Sequence, residues 1–462
     1  MPIPVVAILD IGKTNKKAFL FNEQYAIVEE FTAQLSETTD EDGQPCEDIG
    51  LLAQWVVDAI TRLLSMRAYD IRAINFSTYG ASMVHLDARG RVMTPLYNYL
   101  KPYPAALQQQ FYTTYGGEQA ITSCTASPAL GSLNAGMQLY RIKYRQPQLY
   151  ERITWSLHLP QYISSLLTNK YYSDITSIGC HTQLWDFNRN TYHNWVLQEQ
   201  LDKKLPPLLG DEETIACVIN GHPVAVGIGM HDSSAALIPY LLSFTDPFVL
   251  ISTGTWCISL NPFNKQPLTA DELNQDCLCY MEYHGRPVKA SRLFSGDEHE
   301  QQTKKLAVHF GVPVNFYNSI RFNPDIIASL QTLPPVTLPA ANDKALKQSV
   351  FAWRDLNSFQ SYEQAYHCLM ADIISLQQQS TRLVIQDTPV RRIFVDGGFS
   401  KNPVYMHLLA IAFPHMEVYA AAVAQATAAG AALAIHPHWN TQPLPADLVT
   451  MQHYTVTQKM HI

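Results

Sequence analysis

The sequence predicts an α/β fold of two duplicated lobes with a central cleft, on three observations. One turn motif occurs twice, half a chain apart. Residues 5–22 (VVAILDIGKTNKKAFLFN) and 248–261 (FVLISTGTWCISLN) both read as apolar run, polar turn, apolar run. That is the pattern of a β-hairpin with Gly and hydroxyl residues at its tip. Strand–turn–helix alternation runs through both halves, as a layered α/β architecture requires. The length of 462 residues accommodates roughly two or three domains, each with a full core. The boundary is expected at 242/243, giving lobes 1–242 and 243–462.

The elements follow in order. The first hairpin turns at Asp10-Ile11-Gly12-Lys13-Thr14-Asn15, and an acidic, loop-like stretch spans Ser36 to Gly50. Apolar residues at 51, 52, 55, 56, 59, 60, 63 and 64 form a helical stripe over 51–66. Residues 72–77 (RAINFS) read as a buried strand before a polar loop at 78–82. Strand 223–228 leads into Gly229-Met230-His231-Asp232-Ser233-Ser234 and an apolar helix start. The second hairpin turns at Ser252-Thr253-Gly254-Thr255, and the Pro-rich segment 332–339 reads as a surface loop. A long helix is expected over 361–386, then strand 391–396 running into Gly397-Gly398. A final strand near 416–420 leads into an Ala-rich helix. Residues 418–435 carry no formal charge and sit at the low edge of membrane-span length. Their Ala content, with Gln425, Thr427 and Gly430 inside, reads instead as a buried, tightly packed helix.

Composition excludes several classes. Hydrophobic residues make up 47% and charged residues 16%, which suits a globular enzyme rather than a disordered chain. The net charge of −8, with no Lys/Arg cluster, argues against nucleic acid as partner. The eight cysteines are scattered. Cys277 and Cys279 lack a matching His or Cys pair for zinc, and scattered thiols suit a reducing, cytoplasmic setting. No basic-plus-apolar leader precedes the first strand.

The site candidates each have a bland and a chemical reading. Gly12-Lys13-Thr14 imitates the end of a P-loop, but that motif needs Gly where this chain has Ala7, and a helix where it has a strand. A tip rich in Gly and hydroxyls can still offer N–H groups to phosphate. Two such tips suggest a nucleotide gripped from both sides, and hence phosphoryl transfer. Asp10 either stabilises its turn or holds Mg²⁺ through water. Asp232 either caps a helix or orients and deprotonates an attacking hydroxyl. Gly397, Gly398, Ser400 and Asn402 form a tight turn or a bed for a purine. Thr78, Tyr79, Gly80 and Ser82 are loop polars or the wall of a sugar pocket. Asp174 is a turn or cap residue or a ligand for sugar hydroxyls.

In sequence, these segments resemble the FGGY carbohydrate kinase family, of the actin/Hsp70-like (ribonuclease H-like) fold, over essentially the whole chain. Residues 10–17 (DIGKTNKK) resemble the first phosphate motif, residues 227–237 (GIGMHDSSAAL) the catalytic segment, and 252–256 (STGTW) the second phosphate motif. Residues 396–402 (DGGFSKN) are similar to the adenosine motif, and 425–432 (QATAAGAA) to the closing helix motif. Within the family the rhamnulokinase and fuculokinase branch is most similar, through the Ser-Thr-Gly-Thr-Trp string and the His-Asp-Ser context. Residues 77–87 (STYGASMVHLD) align with that branch's sugar loop. Four positions depart: Lys13 replaces Thr or Ala, Ser77 and Ser82 replace acids, and Gln425 replaces Glu.

The resemblance implies an ATP-dependent kinase for a small sugar, a ketopentose or 6-deoxyketohexose. Asp232 would be catalytic. Asp10 would hold Mg²⁺. Gly12, Lys13, Thr14, Lys17, Gly254, Thr255, Gly397, Gly398, Ser400 and Asn402 would bind ATP. Thr78, Tyr79, Gly80, Ser82, Asp174 and His231 would bind sugar. At an ordinary carboxyl pKa of about 3.9, Asp232 would be a weak base that acts mainly by orientation. A homodimer is compatible with the family. Two other readings stand beside it: an actin/Hsp70-type ATPase working on a protein partner, and a catalytically impaired sugar-binding relative.

Overall fold

The computed structural model describes residues 1–330, 333, 336 and 349–455. The Pro-rich segment 332–339, apart from Leu333 and Val336, lies outside the described residues.

The N-terminal lobe is built on one mixed sheet. Its strands are β1 (Ile3–Ile11), β2 (Lys16–Asn22), β3 (Ile27–Ala33), β4 (Tyr69–Thr78), β5 (Thr214–Ile219), β6 (His222–Gly227) and β7 (Met230–His231). The order across the sheet is β5-β6-β4-β1-β2-β3, with β7 also paired to β4. β1 pairs antiparallel with β2 and parallel with β4. The apolar run of β1 is continuous because both faces are covered. Val5, Ala7 and Leu9 meet α1 (Ile49–Leu64) and α2 (Leu159–Thr168), while Val6 and Ile8 join a separate core on the other face. Helix α1 starts where Asp48 accepts from the N–H groups of Gly50 and Leu51, a cap worth ~1 kcal/mol. Of the predicted stripe it buries Leu52, Val56, Ala59, Ile60, Leu63 and Leu64, while Trp55 is half-buried and Leu51 is exposed.

After α3 (Asp232–Ser243) the pattern repeats. The second sheet contains β8 (Phe248–Thr253), β9 (Cys257–Asn261), β10 (Cys277–Met281), β11 (Pro287–Leu293), β12 (Arg392–Gly397), β13 (Glu417–Ala422) and β14 (Thr450–Tyr454). Its order is β10-β11-β9-β8-β12-β13-β14. β8 is antiparallel to β9 and parallel to β12, repeating the relations of β1, β2 and β4. Its longer helices are α4 (Ser295–Phe310), α5 (Tyr362–Ile385), α6 (Pro403–Ala412) and α7 (Ala426–Ala434). β8 is buried on both faces too: Val249 and Ile251 meet the α5 core, Phe248 and Leu250 the α3 core.

Two expectations change. The stretch 36–50 holds a small antiparallel hairpin, Glu37–Thr39 with Pro45–Glu47, because buried Asp40 at its turn ion-pairs with Lys101. The strand expected near 416–420 runs over Glu417–Ala422, so the uncharged stretch 418–435 is helix only over Ala426–Ala434. No helix among the described residues is long and apolar enough to cross a membrane. Finally, the chain crosses back between lobes at its end. α7 packs on α3 and on the N-terminal sheet, where Asn75 donates to the Ala431 carbonyl at 2.8 Å.

Candidate functional site

The parallel strands β1, β4 and β7 end side by side, and the candidate residues stand at those ends. Asp10 lies opposite Ser77 on β4, and β7 sets Met230 opposite Ser77 and His231 opposite Thr78. Asp232 is therefore delivered beside Asp10 as the first residue of α3, one position inside the expected cap. Burial raises both carboxyls to about 6, and the charge of Asp232 adds to the rise at Asp10. That corrects the weak-base expectation: Asp232 titrates much closer to a working general base than an ordinary Asp. Asp232 Oδ1 accepts from the Ser233 N–H at 2.6 Å and lies 3.2 Å from His231 Nε2.

His231 is sandwiched and neutral. It stacks on Tyr280 at 5.5 Å between centroids, its Nε2 is 3.2 Å from Cys180 Sγ, and burial lowers its pKa to about 4. A Cβ on Gly80 would lie 2.8 Å from His231 Nε2, so the glycine leaves room for the ring. Thr78 at the end of β4 and Ser82 in the loop after it are both buried, and Tyr79 lies under Lys13 with Nζ 6.0 Å from its ring centre.

Asp174 is placed differently from the sugar-ligand reading. It is fully buried and N-caps the short helix Ile175–Ile178, accepting from the Ser177 N–H at 2.9 Å and from the Thr176 hydroxyl. Thr176 Oγ1 accepts in turn from the His231 N–H at 3.0 Å. Asp174 thus supports the 231–232 backbone from behind, and the cap alternative is the one the geometry carries. Burial pushes its carboxyl up.

The first hairpin tip closes through Gly12 N–H to Asn15 O at 2.9 Å, the second through Gly254 N–H to Trp256 O at 2.9 Å. At the first, Lys13 pairs with Glu37 at 2.8 Å, and Lys17 donates to Gln425 Oε1 at 3.2 Å. Thr427 donates to Asp10 Oδ2 at 2.7 Å. Residues 425 and 427 therefore contact the first hairpin directly. Gln425 accepts from Lys17 as Glu would, without the charge.

Gly397 (φ 88°) needs its glycine, because a Cβ would lie 2.0 Å from Thr253 O. This close approach lets the Gly398 and Phe399 N–H groups bond Thr253 at 2.9 and 3.0 Å. Gly398 joins two recesses. One, about 860 Å³, is lined by Asp396, Gly397, Ser400, Gln425 and Thr427. The other, about 360 Å³, is lined by Gly254, Gly296, His299 and Asn402. Both are of a size that holds a small ligand. Asp10 and Asp232 lie outside both recesses, with Thr427 bridging to Asp10. Ser400 donates to Gly397 O at 2.8 Å. Asn402 caps α6 through Oδ1 and donates to the Tyr366 hydroxyl at 2.6 Å, so its side chain braces the turn. Cys277 and Cys279 are free and buried in β10, their thiols pushed up to about 12 by burial.

Several residues escaped sequence reading: Lys16, Glu47, Cys180, Tyr280 and buried Arg292, which pairs with half-buried Asp276 at 2.7 Å. Thr427 was visible only as part of a motif. Buried lysine and arginine are rare enough to be a signal, but burial is not legible in sequence.

Two carboxylates that burial disfavours as anions fit a hard divalent cation with oxygen ligands, and Mg²⁺ matches that donor set. Duplicated sheets facing one cleft, with a hairpin tip from each, define the ribonuclease H-like class of two-lobed proteins. The chain belongs to the FGGY carbohydrate kinases: the family's N-terminal domain matches residues 5–238 and its C-terminal domain residues 245–443. It is similar to the L-fuculokinase of Escherichia coli K12, 26% identical over 273 residues, covering 54% of this chain and 55% of that protein. It is also similar to the rhamnulokinase of Oceanobacillus iheyensis, 22% identical over 227 residues and 46% of each chain. The chain spans about half the length of the curated relatives it matches. In fold it resembles a carbohydrate kinase from Novosphingobium aromaticivorans (TM-score 0.80, 22% identity, 99% of this chain and 96% of that one). A ligand-bound xylulose kinase from Lactobacillus acidophilus is also similar (TM-score 0.79, 16% identity, 98% and 94%).

Proposed function

We propose that the chain is an ATP-dependent sugar kinase acting on a hydroxyl of a small ketose, of ketopentose or 6-deoxyketohexose type. The observation that carries this reading is the pair Asp10 and Asp232, both raised to about 6, at adjacent element ends beside the first hairpin tip. The likeness to an L-fuculokinase and a rhamnulokinase supports the ketose class. Asp232 accepts the proton of the attacking hydroxyl as its oxygen bonds to the γ-phosphorus and the bond to ADP breaks. Neutral His231 lies beside that carboxylate, its Nε2 3.2 Å from Oδ1. The N–H groups of the two tips face the transferring phosphoryl and stabilise its charge. Mg²⁺, when bound, neutralises phosphate charge, and Asp10 is the residue that would hold it, oriented by Thr427. The eight free cysteines support a cytoplasmic setting.

The test is ADP release with ATP and Mg²⁺ across ketoses, aldoses and polyols. Strong stimulation by one ketose is expected. Steady hydrolysis that no sugar stimulates would replace this reading with a partner-driven ATPase.

A further inference from the structure

Each hairpin tip has its carbonyls held from behind. In the first, Lys16 Nζ donates to Gly12 O at 3.0 Å and Lys13 O at 3.1 Å. Its ammonium also ion-pairs with Glu47, which accepts from the Tyr79 hydroxyl. Lys16 is 2% exposed and Glu47 4%. Two of the ammonium's three donors go to these carbonyls and its charge is paired by Glu47, all inside the protein. Lys16 is therefore not free to reach a nucleotide.

What it does instead follows from peptide geometry. No cis peptide occurs among the described residues, and in a trans unit the C=O and N–H point opposite ways. Turning the carbonyls of Gly12 and Lys13 onto Lys16 turns the N–H groups of Lys13 and Thr14 away from it. Neither N–H has a protein partner among the described residues. The second hairpin reaches the same state by other means. Thr255 O accepts from the Asp297 N–H at 3.2 Å, at the start of α4. Gly296 sits so close that a Cβ there would lie 1.8 Å from Gly254 O. A helix N-terminus, with its positive dipole end, replaces the buried ammonium.

We propose that Lys16 is a positioning residue for phosphate: paired with Glu47, it fixes the two peptide planes whose N–H groups, on Lys13 and Thr14, bind the nucleotide's phosphates. It rests on the kinase reading above. The network also ties the phosphate hairpin to the sugar loop, since Tyr79 gives its hydroxyl to Glu47 and its N–H to Ile11 O at 3.1 Å.

The test is the double variant Lys16→Met/Glu47→Gln, which leaves no buried charge unpaired and keeps an acceptor for Tyr79. Calorimetric titration with Mg-ADP and steady-state kinetics are compared with wild type. The expected result is about a tenfold loss of ADP affinity and a matching rise in KM for ATP, with sugar KM within about twofold. Unchanged ATP and ADP parameters in a folded variant overturn the proposal. So does a parallel rise of both KM values with a lowered Tm, which marks a merely structural pair. Hydrogen exchange on the wild-type protein gives an answer even if the variant does not fold. The Lys13 and Thr14 amides should exchange at least about tenfold slower with Mg-ADP, and unchanged exchange overturns the assignment. A wild-type protein that neither binds Mg-ADP nor turns over ATP sinks the kinase reading itself, a result separate from these.

Discussion

Replacing Gly430 by alanine tests the contact that joins the lobes. Gly430 lies in α7, inside the motif QATAAGAA, and faces α3. An added Cβ would stand 1.8 Å from Ala235 O, 2.6 Å from its carbonyl carbon and 3.2 Å from its Cα. All three obstacles are backbone, so no side chain can swing aside. Carbon and oxygen approach comfortably only to about 3.3 Å, so the helices must separate by roughly 1.5 Å. Overpacking of this kind costs up to ~3 kcal/mol, and the better helix propensity of alanine returns ~1 kcal/mol. The net loss of ~2 kcal/mol lowers Tm by about 4–8 °C for a lobe of this size. Activity should fall further than stability. α3 begins with Asp232 and α7 carries Thr427, the donor to Asp10. Shifting one helix against the other by an ångström or more should lower kcat about a hundredfold. Scanning calorimetry and sugar-dependent ADP release give the two readouts. A variant melting within about 1 °C of wild type with full turnover would refute the claim that this crossing sets the cleft.

Three further outcomes are expected. Asp232→Asn should lower kcat by about 10²–10⁴ with Mg-ADP binding retained, and near-normal turnover in a folded variant removes Asp232 from the proton transfer. Thr427→Val deletes the hydroxyl bonded to Asp10 while keeping its shape. The half-saturating Mg²⁺ concentration should rise by about three- to tenfold, and an unchanged Mg²⁺ titration would argue against Asp10 as the cation's carboxylate. For acid stability, burial works to raise the Asp40 carboxyl, but Lys101 and the Gln44 and Asp42 amides outweigh it and hold it below the usual range. A depressed folded pKa stabilises above the unfolded value of about 3.9 and loses that contribution as pH falls through the folded pKa. The Tm deficit of Asp40→Asn at neutral pH should therefore shrink below about pH 4, and a deficit constant from pH 7 to 3 would contradict the pairing.

Much of this protein was written locally. The hairpins, the α1 stripe, the α5 helix and the order of motifs follow from periodicity and turn chemistry, which act over a few residues. The departure at Gln425 was visible too, though not that it accepts from Lys17 across 408 positions. The stretch 36–50 reads as loop because its acids look solvated, yet Asp40 is buried against Lys101. Asp174 presented two readings that sequence left open, and only its burial behind Thr176 separates them. Strand Glu417–Ala422 falls where sequence placed one, near 416–420, and what sequence missed is that pairing to β12 extends it into the Ala-rich run.

The sequence by itself determined which segments fold, the duplication, and the residue types at the hairpin tips. Only the tertiary structure decided how Asp10 and Asp232 meet, why both titrate near 6, and which lysine faces inward. Those properties depend on desolvation and on contacts between residues far apart in the chain. Lys16 and Lys17 are neighbours of identical chemistry, and the alternation of a strand's faces alone sends one into the core and the other towards the cleft.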